Sequence, residues 1–140
     1  MKTLALLPLL VLAGCAPPPP APGLAVIVVS SSSFHGSAST QIFADGTRIE
    51  DVDRAEDGPP SHSVTQGSPG VYTKAAAVLA RAGLTAKAAM KPHPDLCLDY
   101  GTDLVRAVPP IAGFDLVRTQ CPDAAVSELM AEVLAALTQP

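Results

Sequence analysis

Three histidines, His35, His62 and His93, are the side chains best suited to acid–base or metal chemistry at neutral pH. They are scattered, and none lies four residues from another on a helix. A zinc site needs three or four converging ligands, so no metal set is expected. His93 and Asp95 share a Pro-His-Pro-Asp stretch that reads as an exposed turn. Ser30 to Ser33 lie close to His35, but neighbours in one loop rarely assemble a nucleophile, a base and an orienting acid. The Gly-x-Ser-x-Gly elbow, the Walker loop and Gly-x-Gly-x-x-Gly are all missing. Acids gather at Glu50, Asp51, Asp53, Glu56 and Asp57, without the Asp-x-Asp-x-Asp-Gly loop and distal Glu of a calcium site. They read as a solvated acidic loop. No catalytic constellation and no cofactor is expected.

The strongest local pattern is at the amino end. Lys2 precedes an apolar run, Leu4 to Ala13, of about ten residues, and Leu12-Ala13-Gly14-Cys15 closes it. A membrane-spanning helix needs about 20 residues, whereas a positive residue, a short apolar run and small residues are the parts of a signal peptide. The tetrapeptide resembles the lipobox of bacterial lipoproteins. The resemblance covers about the first 15 residues and implies cleavage before Cys15, a thioether-linked diacylglyceryl group on Cys15, and acylation (palmitate) of its new amino terminus. Several acyl chains anchor a protein stably where one does not. Ala16 stands where an aspartate would signal inner-membrane retention, so the resemblance implies an outer-membrane lipoprotein facing the periplasm. Residues 15–23 continue as Ala16, Pro17 to Pro20, Ala21, Pro22 and Gly23. Proline runs favour extended polyproline II, about 3.1 Å per residue, so this segment reads as a semi-rigid tether.

That assignment bears on the other cysteines. With Cys15 lipidated, Cys97 and Cys121 remain, and an oxidising periplasm favours pairing them. The loop closed would span about 25 residues, for which chain entropy contributes about 3–4 kcal/mol. The other reading is a reactive or metal-binding thiol pair, although the spacing is far from Cys-x-x-Cys.

The 14 residues before Cys15 leave 126 of the 140. Without Lys2, eight basic residues face 13 acidic ones, a net charge of −5. An acidic balance argues against nucleic acid and against adsorption to anionic lipid. Only five aromatics are present (Phe34, Phe43, Tyr72, Tyr100 and Phe114), with no tryptophan. That is little material for stacking on sugars or bases. The organisation expected is a signal peptide over 1–14, a lipidated tether over 15–23, and one α+β domain over 24–140.

Within that domain Leu24 to Val29 suits a buried strand, and Ser30 to Ser37 reads as a polar connection. Asp45-Gly46 reads as a two-residue hairpin turn, which places Ile42 opposite Ile49 and Gln41 opposite Glu50. Ser61 to Gln66 is a further strand candidate. A helix is expected from Ser68 as N-cap and Pro69 to a stop at Gly83, with Val71, Ala75, Val78, Leu79 and Ala82 on one face. Thr85 to Pro94 reads as a connection. Cys97 to Tyr100, Asp103 to Val108 and Phe114 to Gln120 read as strands, with Pro109-Pro110 interrupting. A last helix begins near Pro122 or Asp123, with Val126, Leu129, Met130, Val133, Leu134 and Leu137 on its core face. The architecture expected is a small antiparallel sheet of about four to five strands with two helices on one face, in the order β-β-β-α-β-β-α.

The function this supports is a lipid-anchored envelope lipoprotein that acts as a non-catalytic protein-binding or scaffold module. Its partners would be the membrane, through the acyl chains, and an envelope protein, with the segments 30–37 and 53–62 as candidate contacts. A protease inhibitor is one form of this by fold analogy. The alternative is a small periplasmic hydrolase or ligand-binding protein.

Overall fold

A computed structural model describes residues 24–54, 58–90, 97 and 100–138. The chain opens with four consecutive antiparallel strands: β1 (Val26–Ser33), β2 (Gly36–Phe43), β3 (Thr47–Asp53) and β4 (Ser61–Gln66). A helical run follows, made of α1 (Gly70–Val78), a π-helical turn (Leu79–Gly83) and α2 (Leu84–Ala89). Strands β5 (Thr102–Ile111) and β6 (Phe114–Thr119) and helix α3 (Ala124–Ala135) complete the fold. The strands form one six-stranded sheet in the order β4-β3-β2-β1-β5-β6. The α+β class and the two helical elements agree with the pattern read from the residues. The order is β-β-β-β-α-β-β-α, with six strands where about four to five were expected.

The register of the β2–β3 hairpin departs from the simple reading of Asp45-Gly46. Phe43 carbonyl accepts from Gly46 N–H at 3.0 Å, and Gly46 has φ +89°. The loop is therefore three residues long, Ala44 to Gly46, with glycine in the left-handed position. A Cβ on Gly46 would meet Gly67 carbonyl oxygen at 2.5 Å. Asp45 Oδ1 accepts from Thr47 N–H at 2.8 Å, and Gln66 Nε2 donates to Asp45 carbonyl at 3.1 Å. The extra residue moves the pairing by one: Ile42 opposes Arg48, and Gln41 opposes Ile49. A slip of one residue exchanges the faces of a strand, so Ile42 lies in the core while Ile49 faces the other way.

The core lies between one face of the sheet and the helices. Ile27, Val29, Ile42, Val105, Ala107, Phe114 and Val117 supply the sheet side, against Ala75, Val78, Leu79, Ala86, Val126, Leu129 and Val133. The helices pack on β1, β2, β5 and β6. The apolar stripe expected on the last helix holds: Val126, Leu129 and Val133 are buried, and Met130, Leu134 and Leu137 pack against them. That helix starts where Asp123 Oδ1 accepts from Ala125 and Val126 N–H, at 2.9 and 3.1 Å. At the first helix the cap position is Pro69 rather than the expected Ser68, whose Oγ accepts from Gly70 N–H at 3.2 Å just before it.

Three further differences have local causes. Ser30 to Ser37 is not a connection: β1 runs on to Ser33 and pairs through Ser33–Gly36 across the Phe34-His35 tip. Serines give no hydrophobic alternation to read, yet their main chain pairs as well as any other. Pro109-Pro110 does not end a strand. The prolines lie beyond the last β1 partner, Val108, inside the irregular stretch between Arg106 and Ile111 of the β5–β6 pairing. Cys97 lies outside any strand and Tyr100 sits in a turn, so no strand is described there.

Gly83 does not stop the first helix either. It has φ −60° and the run continues to Ala89. A Cβ on Gly83 would stand 2.7 Å from Phe114 Cδ2, so glycine serves a close approach of helix and ring. Alanine normally stabilises a helix interior by up to about 1 kcal/mol over glycine. Here Gly83→Ala is expected to destabilise by about 1–3 kcal/mol through overpacking. Urea unfolding checks it, and a stabilised variant would contradict the packing.

Candidate functional site

The pleat that turns Ile27, Val29, Ile42, Val105 and Val117 toward the helices turns their neighbours the other way. Registers across the six strands assemble these neighbours into three rows. The first holds Phe43, Val26 and Val108 on β2, β1 and β5. The second runs Val64, Ile49, Gln41, Val28, Arg106 and Leu116 from β4 to β6. The third runs His62, Asp51, Ser39, Ser30, Leu104 and Arg118 in the same direction. Eight apolar side chains therefore share the face away from the helices. None of them belongs to the core cluster or packs against it. Val108 and Leu116 are 41% and 39% exposed. Among the described residues, no helix covers this face. Leu24 to Val29, which suits a buried strand, is apolar on both sides: Ile27 and Val29 enter the core, while Val26 and Val28 lie on the other face.

The face is electrically divided. Its β3–β4 side carries Asp51 and Asp53, while its β5–β6 side carries Arg106 and Arg118, both exposed. Asp51 Oδ1 sits 2.6 Å from His62 Nδ1 across the β3–β4 pair. Ser39 lies on the other side of Asp51. The carboxylate thus stands between serine and histidine, and His62 keeps Nδ1 toward the acid on the edge strand. A nucleophile–base contact needs histidine between the other two, so this row does not form a triad.

The remaining candidates are placed as follows. His35 lies at the β1–β2 tip beside Phe34, with ring centroids 5.7 Å apart and edge-on. Phe34 is 80% exposed. Arg54, at the start of the 53–62 segment, lines a shallow hollow of about 390 Å³ beside this tip with Ser33, His35 and Asp53. Of the acidic group, Glu50 faces the helix side, 3.5 Å from Arg48 Nε, and so is separated by the sheet from Asp51. Cys15, His93, Asp95, Glu56 and Asp57 lie outside the described residues. No three His, Cys, Asp or Glu residues come together among those described. A groove of about 440 Å³ runs between the first helical run and α3. Its walls include Ala82, Ala86, Ala89 and Ala125, and Arg81 reaches Glu132 across it at 3.8 Å.

Cys97 and Cys121 are joined by a disulfide, with Cα atoms 5.1 Å apart. It ties the segment before β5 to the entry of α3. Around it lies a polar group. Tyr100 hydroxyl donates to the buried carboxylate of Asp103. Thr119 hydroxyl donates to Cys121 carbonyl at 2.7 Å and accepts its N–H at 3.2 Å. This satisfies the polar atoms where the chain leaves the sheet. Reducing the bond, or making Cys97→Ser with Cys121→Ser, is expected to lower stability by about 3–4 kcal/mol. Calorimetry with and without reductant measures it, and an unchanged midpoint would contradict the role.

Both tyrosines are held above the usual phenol value of 10.0. The Asp103 bond is the main cause for Tyr100, with burial and the Asp103 charge adding and a Ser127 bond opposing. Burial is the cause for Tyr72. A raised folded value favours the protonated form. Its stabilisation is complete below pH 10 and is lost as pH rises through the folded value. Phenolate absorbance of the folded protein should therefore appear above pH 10, and later than in denaturant. Coincident titrations would contradict it.

Comparison with known proteins finds nothing similar to this chain: no family model, no curated protein and no solved structure matches it.

Proposed function

We propose that this chain is a lipid-anchored lipoprotein of the bacterial envelope, facing the periplasm, and that it works as a non-catalytic protein-binding module through the open face of its sheet. The observation that carries the reading is the row Val64, Ile49, Gln41, Val28, Arg106 and Leu116, flanked by Phe43 and Leu104. Large contiguous apolar patches mark interaction sites on soluble domains. Arginine is enriched in protein interfaces, and Arg106 stands within this row between Val28 and Leu116.

Three features support the location. Leu12-Ala13-Gly14-Cys15 resembles a lipobox. The Cys97–Cys121 bond suits an oxidising compartment. The prolines after Cys15 suit a spacer between an acylated cysteine and β1. The tether would join β1 at Val26, while the Phe34-His35 tip lies at the far end of that strand. Seven steps of about 3.3 Å across its eight residues put the two ends about 23 Å apart. A domain held this way presents the flank of its sheet, and Phe34, away from the lipid. The hydrolase alternative draws less support, because the Asp51–His62 pair has its serine on the wrong side.

The test places a photo-crosslinking residue at Ile49 or Leu104 in the full chain, in cells, with Ala131 on the exposed side of α3 as control. Discrete protein adducts are expected from the two sheet positions and none from Ala131. Cys15→Ala should move the protein out of the membrane fraction. Equal adducts at all three positions, or an unchanged membrane fraction, would overturn the corresponding half of the proposal.

A further inference from the structure

The open face complements itself in part: one arrangement of two copies brings Asp51 diagonally between two arginines, while Arg106 lies over Ile49 and Arg118 over His62. Consider a second copy laid face to face, turned 180° about an axis parallel to the strands. The order β4-β3-β2-β1-β5-β6 then meets its own reverse, with β4 over β6, β3 over β5 and β2 over β1. Rows keep their height. Val64 meets the second copy's Leu116, and Phe43 meets the second copy's Val26. Asp51 comes over the second copy's Leu104, between the second copy's Arg106 and Arg118. The same pairs form again on the other side of the axis, as an isologous contact requires. Turning the copy about the perpendicular in-plane axis through the second row instead sets each strand over itself. Arg106 then meets Arg106, and like charges opposed across an interface carry a penalty.

Fifteen positions in the three rows, each about 4.8 Å by 7 Å, give about 500 Å² per copy and about 1,000 Å² in total. That is the lower end of a specific interface, roughly 1,000 Å². Face-to-face sheets pack with strands nearly aligned, about 30° apart, which keeps the rows in register near the axis.

We infer that the open face takes a second copy of this chain, in a dimer whose twofold axis runs along the strands and whose acidic β3 meets the basic β5–β6 side of its mate. This rests on the reading of the face as a protein-contact surface and names the partner.

The experiment is sedimentation velocity of the full lipidated protein in detergent, for the wild type, Asp51→Lys, Arg118→Asp and the double variant. The expected result is a dimer for the wild type, at least about tenfold weaker association for each single variant, and recovery in the double variant, where the charges are exchanged. Because the double variant must regain what each single one lost, misfolding cannot imitate the result. A dimer indifferent to these substitutions would overturn the geometry. A monomeric wild type would overturn the inference. Crosslinks from Ile49 or Leu104 to a different protein would then leave the contact-surface reading standing. Their absence would remove that reading as well.

Discussion

A strand has two faces, and one residue of register decides which is which. In this chain the three-residue loop Ala44 to Gly46 makes that decision for β3 and β4, two of the six strands. It is held by the Asp45 carboxylate, by Gln66 from β4, and by a glycine whose Cβ would collide with Gly67. With the loop in place, Ile42 enters the helix-covered core and Ile49 joins the opposite face. A two-residue turn would have put both on one side. Asp51, Asp53 and His62 would then have changed sides relative to β2, leaving no divided charge on the open face. The contact surface proposed for this protein thus depends on a turn at its edge.

The two faces carry different duties. On the covered side the contacts are close and specific: a helix pinched to glycine at Gly83 to admit the Phe114 ring, alanines letting the first helix approach the sheet, and a stripe on α3 closing the layer. Hydrophobic burial there holds the fold. The disulfide fastens one end of it, and the Tyr100–Asp103 and Thr119–Cys121 hydrogen bonds satisfy polar groups at that end. On the open side most of the apolar side chains are only half-buried, and among the described residues no helix covers them. They are available for a partner, and the charges around them give the partner an orientation.

Much of this was legible in the residues. The helix stripes, the start of the last helix near Asp123, the pairing of Cys97 with Cys121 and the α+β class all follow from periodicity and cysteine usage. What was not legible has physical reasons. Serine-rich β1 and β2 ends offer no alternation, so Ser30 to Ser37 looked like a loop. Gly83 has the composition of a helix stop, and only the ring packed against it shows why glycine is there. Asp-Gly fits both two- and three-residue loops, and the choice between them rests on contacts with β4, distant in sequence. The open face was hidden for the same reason, since a face exists only once the register of all six strands is known. Cys15 and the tether lie outside the described residues, and their reading stays with the resemblance.

The central claim is that register divides the apolar residues between a face that holds the fold and a face that binds. Urea unfolding of Ile42→Ala and Ile49→Ala, at concentrations low enough to keep the protein monomeric, tests it most directly. The two residues are chemically identical and seven positions apart. Ile42→Ala should cost about 2–5 kcal/mol, as a fully buried isoleucine does, while Ile49→Ala should cost about 1 kcal/mol or less. Equal large losses would mean that both side chains lie in one core, which would contradict the register and the open face together.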